Sequence, residues 1–123
     1  MTGNRIVAVG AIFAFIAIAL GAFAAHGLAE RLPEAQLTIF RTGAQYQIYQ
    51  ALALVLLGLW CNQQQTQATG VAGCWIAGIF LFSGSLYALA LSGIRVLGAI
   101  TPLGGLLFLG GWLGFAFRAW RSP

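Results

Sequence analysis

Charge is almost missing from this chain. It has no lysine and no aspartate, only six arginines and two glutamates in 123 residues. Charged side chains make up 7%, against roughly 25% in an ordinary soluble domain. Apolar residues make up 60%, so a soluble fold of this size would lack the polar surface it needs. Disordered chains are poor in apolar residues, and disorder is excluded too. Two cysteines, Cys61 and Cys74, are too few for a disulfide framework. The six arginines are scattered, so the basic stripe of a nucleic-acid binder is missing. With one histidine, His26, and no acid inside the apolar runs, no metal centre, proton relay or Ser-His-Asp or Cys-His nucleophile is expected. Catalysis and a cofactor are therefore not expected either.

What is present is long apolar sequence, and it reads as one integral membrane domain over 1–123. Residues 6–29, 42–94 and 96–117 carry no charge. A helix needs about 20 apolar residues to cross the hydrocarbon core. The outer two gaps hold one span each, and the middle gap holds two. The link between these two is the polar run Cys61-Asn62-Gln63-Gln64-Gln65-Thr66-Gln67. Spans are expected at 4–26, 43–61, 70–92 and 97–119. Backbone groups in lipid must be satisfied internally, so these are helices. The expected fold is all-α: a four-transmembrane-helix antiparallel bundle. Arg5, the apolar run and Ala22-Phe23-Ala24 imitate a signal peptide. The run is long for a signal's apolar region, which favours a retained first span.

Between the first two spans, 27–42 is amphipathic. Pro33 and Glu34 suit a helix start. A short interfacial helix is expected there; one long tilted helix over 33–61 is the alternative. Arginines at span ends suit anchoring at the headgroups. The terminal end carries Arg5, Arg118 and Arg121, and the other end carries Arg31, Arg41 and Arg95. The positive-inside count is tied, and cytoplasmic termini are the working expectation.

Small residues must let the helices approach, since lipid is as apolar as leucine. Gly10, Ala14, Ala17 and Gly21 share one face of span one, and Gly73, Ala77 and Gly84 one face of span three. Gly111 serves span four. These seams either close the bundle or face a partner. Trp60, Trp75 and Trp120 fall near span ends and suit an aromatic belt, while Trp112 lies deeper and needs a partner for its N–H.

Antiparallel threading concentrates the polar side chains in one leaflet. His26 ends span one. Tyr46, Gln47 and Gln50 share a face of span two, Ser83 and Tyr87 a face of span three, and Thr101 opens span four. Polar groups in lipid face the bundle interior. They form either an interhelical hydrogen-bond network or a half-membrane cavity for a small ligand, headgroup or ion. His26 either caps its helix or senses protons.

Several blocks resemble one family of small membrane proteins: Gly21-Ala22-Phe23-Ala24-Ala25-His26-Gly27-Leu28, Phe40-Arg41-Thr42-Gly43, Tyr46-Gln47, Ala51-Leu52-Ala53-Leu54, Phe82-Ser83-Gly84-Ser85-Leu86-Tyr87 and Thr101-Pro102-Leu103-Gly104-Gly105 followed by Gly111-Trp112. The chain resembles domain-of-unknown-function family 423, also called uncharacterised protein family 0382, which includes transmembrane protein 256. The resemblance implies a multi-pass protein of the bacterial inner membrane with no assigned catalytic residues. The family pattern has a histidine in span two where this chain has Gln50, and glutamine cannot titrate.

Two functions compete. One is an accessory or binding bundle that docks on a larger membrane complex or binds lipid. The other is a small oligomeric transporter or channel through the polar leaflet around His26, Gln47 and Gln50. The first expects the polar groups to pair internally, and the second expects Gln50 to line a continuous path. Leucine at Gly21 or Gly84 is expected to break assembly.

Overall fold

A computed structural model describes residues 1–123, and every regular element in it is helical. Helix α1 spans Gly3–His26, with the Thr2 hydroxyl accepting from the Arg5 amide at its start. A 3₁₀ turn, Leu28–Glu30, leads to Pro33 and helix α2, Glu34–Gln64. Helix α2 is 31 residues long and unbroken. The separate interfacial helix expected over 27–42 is therefore not formed. Only the 3₁₀ turn lies outside α2, and the continuous alternative describes the chain better. The reason is local: no glycine or proline interrupts 34–42, so the amphipathic piece propagates straight into the apolar one. Helix α2 also runs on to Gln64 and ends where Gln65 adopts a left-handed conformation, φ 51°. The link to the next helix is thus shorter than the glutamine-rich run suggests.

Helix α3, Thr69–Gly78, continues through a π-helical stretch, Ile79–Gly84, into α4, Ser85–Ser92. Together they make one rod. It stops at Gly93, whose φ of 73° is the left-handed geometry that glycine supplies at little cost. A second 3₁₀ turn, Arg95–Ala99, precedes α5, Thr101–Arg121, with Pro102 in its first turn.

Three of the four rods are long and apolar enough to cross a membrane: Gly3–Glu30, Thr69–Ser92 and Arg95–Arg121. Helix α2 is longer than any of them but more polar. The molecule is inside-out by the standard of soluble proteins. Phe15 and Leu113 are each 74% exposed, which suits a lipid solvent and not water.

The α2 helix and the third rod form a central pair. Helix α1 packs along α2, and α5 packs along the third rod. Glycine sets both outer approaches. A Cβ on Gly10 would lie 2.8 Å from the Ala51 carbonyl oxygen and 2.9 Å from the Val55 amide nitrogen. On α5, a Cβ on Gly104 would meet the Phe82 backbone, and one on Gly111 would meet the Trp75 indole. Two apolar clusters result. One joins Ile6, Leu54, Leu57, Trp75, Ile79 and Phe108; the other joins Ala24, Leu28, Leu37, Phe40 and Ala90.

Trp75 is fully buried, with 0% of its surface exposed. Its indole N–H donates to the Phe108 carbonyl at 3.2 Å. The belt position expected for Trp75 is corrected by this: the gap left by Gly111 admits the ring into the core. Trp112 is the exposed member of the pair, with its ring 4.7 Å from that of Trp75.

Candidate functional site

Between the two apolar clusters lies a polar layer to which all four rods contribute. Gln47 on α2 is buried and donates through Nε2 to the Phe13 carbonyl of α1 at 2.9 Å. Its Oε1 accepts from the Tyr87 hydroxyl of α4 at 2.6 Å. Ser83 is fully buried and donates to the Gly43 carbonyl at 2.7 Å. Ser85 is bonded to Thr101 on α5, oxygen to oxygen 2.6 Å, and also donates to the Phe82 carbonyl at 2.9 Å. The π-helical stretch contributes here. Adding a residue to a turn rotates the rest of the helix, and such bulges recur where side chains must be re-aimed. Ser83 lies within the stretch and Ser85 just beyond it, aimed at opposite neighbours.

The expected site residues do not all meet. Gln47, Ser83 and Tyr87 join α2 to its neighbours, and Ser85 with Thr101 closes the α5 side. His26 is exposed in the last turn of α1, 13 residues beyond Phe13 and apart from this layer. Tyr46 and Gln50 diverge from Gln47. Tyr46 is partly exposed, and its ring lies 5.0 Å from that of Phe82. Gln50 is buried beside it, and its Oε1 has no hydrogen-bond partner. The layer also sits deeper than a headgroup site. Phe13 is near the middle of α1, not at its end.

Because α1 and α5 each flank only one member of the central pair, two grooves remain open sideways. One has a volume of about 280 Å³ between α1 and the third rod, with Gln47, Tyr87 and Gly84 on its walls. The other, about 550 Å³, lies between α2 and α5. Tyr46, Gln50, Phe82, Phe108 and Trp112 line it. Residue pattern alone does not single out Phe82 and Phe108. Gly104 and Gly105 opposite Phe82, and Gly78 opposite Phe108, are the available signs that large rings sit there.

The packing residues divide as well. Gly10, Ala17 and Gly111 are buried at helix contacts, and Ala14 is half-buried. Gly21, Gly73 and Gly84 have nothing within 4 Å of where a Cβ would stand, and Ala77 is exposed. The third rod packs through Ala72, Trp75 and Ile79 instead, all buried. Gly73 and Ala77 fall on the opposite face. The expectation that Gly21 or Gly84 closes the fold is corrected accordingly.

The terminal end is tied separately. Asn62 Nδ2 donates to Asn4 Oδ1 at 2.7 Å, and Arg118 donates to the Gln67 carbonyl.

Apolar rods with exposed apolar faces and a bonded polar layer inside define a small polytopic α-helical membrane protein. Residues 20–105 match the profile of the family described as "Protein of unknown function (DUF423)". The chain belongs to this family. It is 44% identical over 106 residues to the UPF0382 membrane protein YwdK of Bacillus subtilis, covering 85% of this chain and 86% of that one. It is 40% identical over 119 residues to a UPF0382 membrane protein of Haemophilus influenzae, covering 97% and 96%. With one of Staphylococcus epidermidis it shares 43% over 104 residues, 85% of each chain. No solved structure matches the chain.

Proposed function

We propose that this chain is a four-span, non-catalytic bundle of the bacterial inner membrane, with cytoplasmic termini, that binds a membrane-resident amphiphile. Helix α2 is the fourth span in this reading. It lies along α1 from the Gly3–Gly58 contact to the buried Ala17 and Ala44, so the two share one slab of bilayer. Its glutamines lower its hydropathy, yet Gln47 and Gln50 are turned inwards. Spanning helices suit the inner membrane, since outer-membrane spans are barrels.

The observation that carries the binding reading is the closure of the polar layer. Gln47, Tyr87, Ser83, Ser85 and Thr101 bond to one another and to backbone. A solute path would need those groups facing a shared channel. The larger grooves near the layer open sideways, with mostly apolar walls, and suit a lipid-soluble ligand.

The test is extraction with a native lipid annulus, followed by mass spectrometry of everything retained. One lipid-soluble species at fixed stoichiometry supports the reading. Bulk lipid alone, in bulk proportions, overturns it. A stoichiometric protein companion would favour docking, with exposed Gly73 and Ala77 as the surface to examine.

A further inference from the structure

Gln50 is the one buried side chain whose polar oxygen has no partner. It is 5% exposed and stands on the wall of the 550 Å³ groove between α2 and α5. It is the seventeenth of the 31 residues of α2, one past the centre. An unsatisfied polar group at that depth in hydrocarbon is costly, because no water is there to bond it. The other buried polar side chains, Gln47, Ser83 and Ser85, are all bonded.

We propose that the groove between α2 and α5 binds a neutral phenol with a hydrocarbon tail, whose hydroxyl pairs with the Gln50 carboxamide. The proposal rests on the amphiphile-binding reading above and gives it a site and a ligand class. Depth selects neutrality: phosphate, carboxylate or ammonium near the bilayer centre is strongly disfavoured. The carboxamide selects a hydroxyl, which both donates and accepts and can meet either end of the amide. The walls select a ring. Phe82 has its centroid 5.0 Å from that of Tyr46 and 5.3 Å from that of Phe108, the spacing at which aromatic rings attract. On α5 the lining runs from Pro102 to Trp112, about 15 Å at 1.5 Å per residue, and leaves room for a tail. Gly105 borders the groove with only the Phe82 ring near its Cβ position, at 3.8 Å.

The test uses the full chain in phosphatidylcholine nanodiscs and two radiolabelled probes, 4-dodecylphenol and dodecylbenzene, which differ by the hydroxyl alone. Wild type should bind one phenol per chain, about 5- to 10-fold tighter than dodecylbenzene, as one hydrogen bond predicts. Gln50→Leu should erase that preference while still taking up both probes. Gln50→Met keeps the side-chain length and serves if the leucine variant does not fold. Gly105→Leu should fill the groove and exclude both probes. Saturable binding without preference for the phenol in wild type would overturn the hydroxyl contact and leave the amphiphile reading standing. Phenol binding that persists in Gly105→Leu would overturn the groove. If neither probe binds wild type, the proposal fails. The native extraction then decides the broader reading separately, by whether it retains a discrete lipid.

Discussion

The Tyr87 hydroxyl and the Gln47 carboxamide meet at 2.6 Å, and the other end of that carboxamide holds the Phe13 carbonyl at 2.9 Å. One glutamine thus joins three rods. Hydrogen bonds between helices in lipid contribute roughly 0.6–2 kcal/mol each. Tyr87→Phe is expected to destabilise by about that much. Gln47→Leu breaks both bonds and should cost more. The double variant should cost less than the sum of the two, because the residues share a bond. Denaturation in mild detergent, by heat or by titrated dodecyl sulfate, reads all three. A Tyr87→Phe protein as stable as wild type would show that this bond does not lock the rods.

Gly10 and Gly111 should not tolerate what Gly21 and Gly73 do. At Gly10 the atoms in the way are the Ala51 carbonyl oxygen and the Val55 amide nitrogen, which are backbone and cannot swing aside. At Gly111 it is the packed ring of Trp75. Leucine at either position overfills a close contact and should destabilise by about 1–3 kcal/mol or more. Leucine at Gly21 or Gly73 points into open space and should stay within about 0.5 kcal/mol of wild type. Melting temperatures in one detergent check the contrast. Unfolding of Gly73→Leu would show that its face is packed after all.

His26→Ala should leave the fold intact. The ring is exposed at the end of α1, away from the polar layer. A loss of about 0.3–1 kcal/mol is the most that an exposed group beside a helix C-terminus gives up. A melting curve that collapses would reveal a buried role for this residue.

The membrane class and the rods were legible in the sequence, because charge gaps and apolar length report what hydrocarbon tolerates. The polar layer was legible as composition: Gln47, Ser83, Tyr87 and Thr101 had to find partners somewhere. Which neighbour each faces was not. Those directions depend on the π-helical stretch at Ile79–Gly84, and residue spacing counted at 3.6 per turn passes over it. On the third rod the small residues at the contacts are Ala72 and Gly78, not Gly73, Ala77 and Gly84. Small residues permit close approach, but a large ring entering a glycine gap gives as close a contact, and Trp75 against Gly111 is that case. The outward face of Gly73 and Ala77 has the composition of a seam but meets no other helix of this chain. The interfacial helix failed to form because a change in polarity is not a break in the backbone. Glu34 through Gln64 contain no residue that stops a helix, and Gly43 and Gly58 lie where close neighbours need the space.

If α2 is the fourth span, residues at its two ends must answer from opposite sides of the membrane. Ala29, between α1 and α2, and Gln63, in the last turn of α2, are both exposed and suit single-cysteine labelling. The background needs Cys74→Ser only, since Cys61 is buried. In right-side-out spheroplasts, an impermeant maleimide should label Ala29→Cys at once. Gln63→Cys should react only after the membrane is opened, because it lies at the end shared with Arg5, Arg118 and Arg121. The reverse pattern would keep four spans but put the termini outside. Labelling of both from one side would leave three crossings and set α2 along the surface. That outcome conflicts with the tight contact between α2 and the apolar α1, so the labelling tests the fourth span and the α1–α2 packing together.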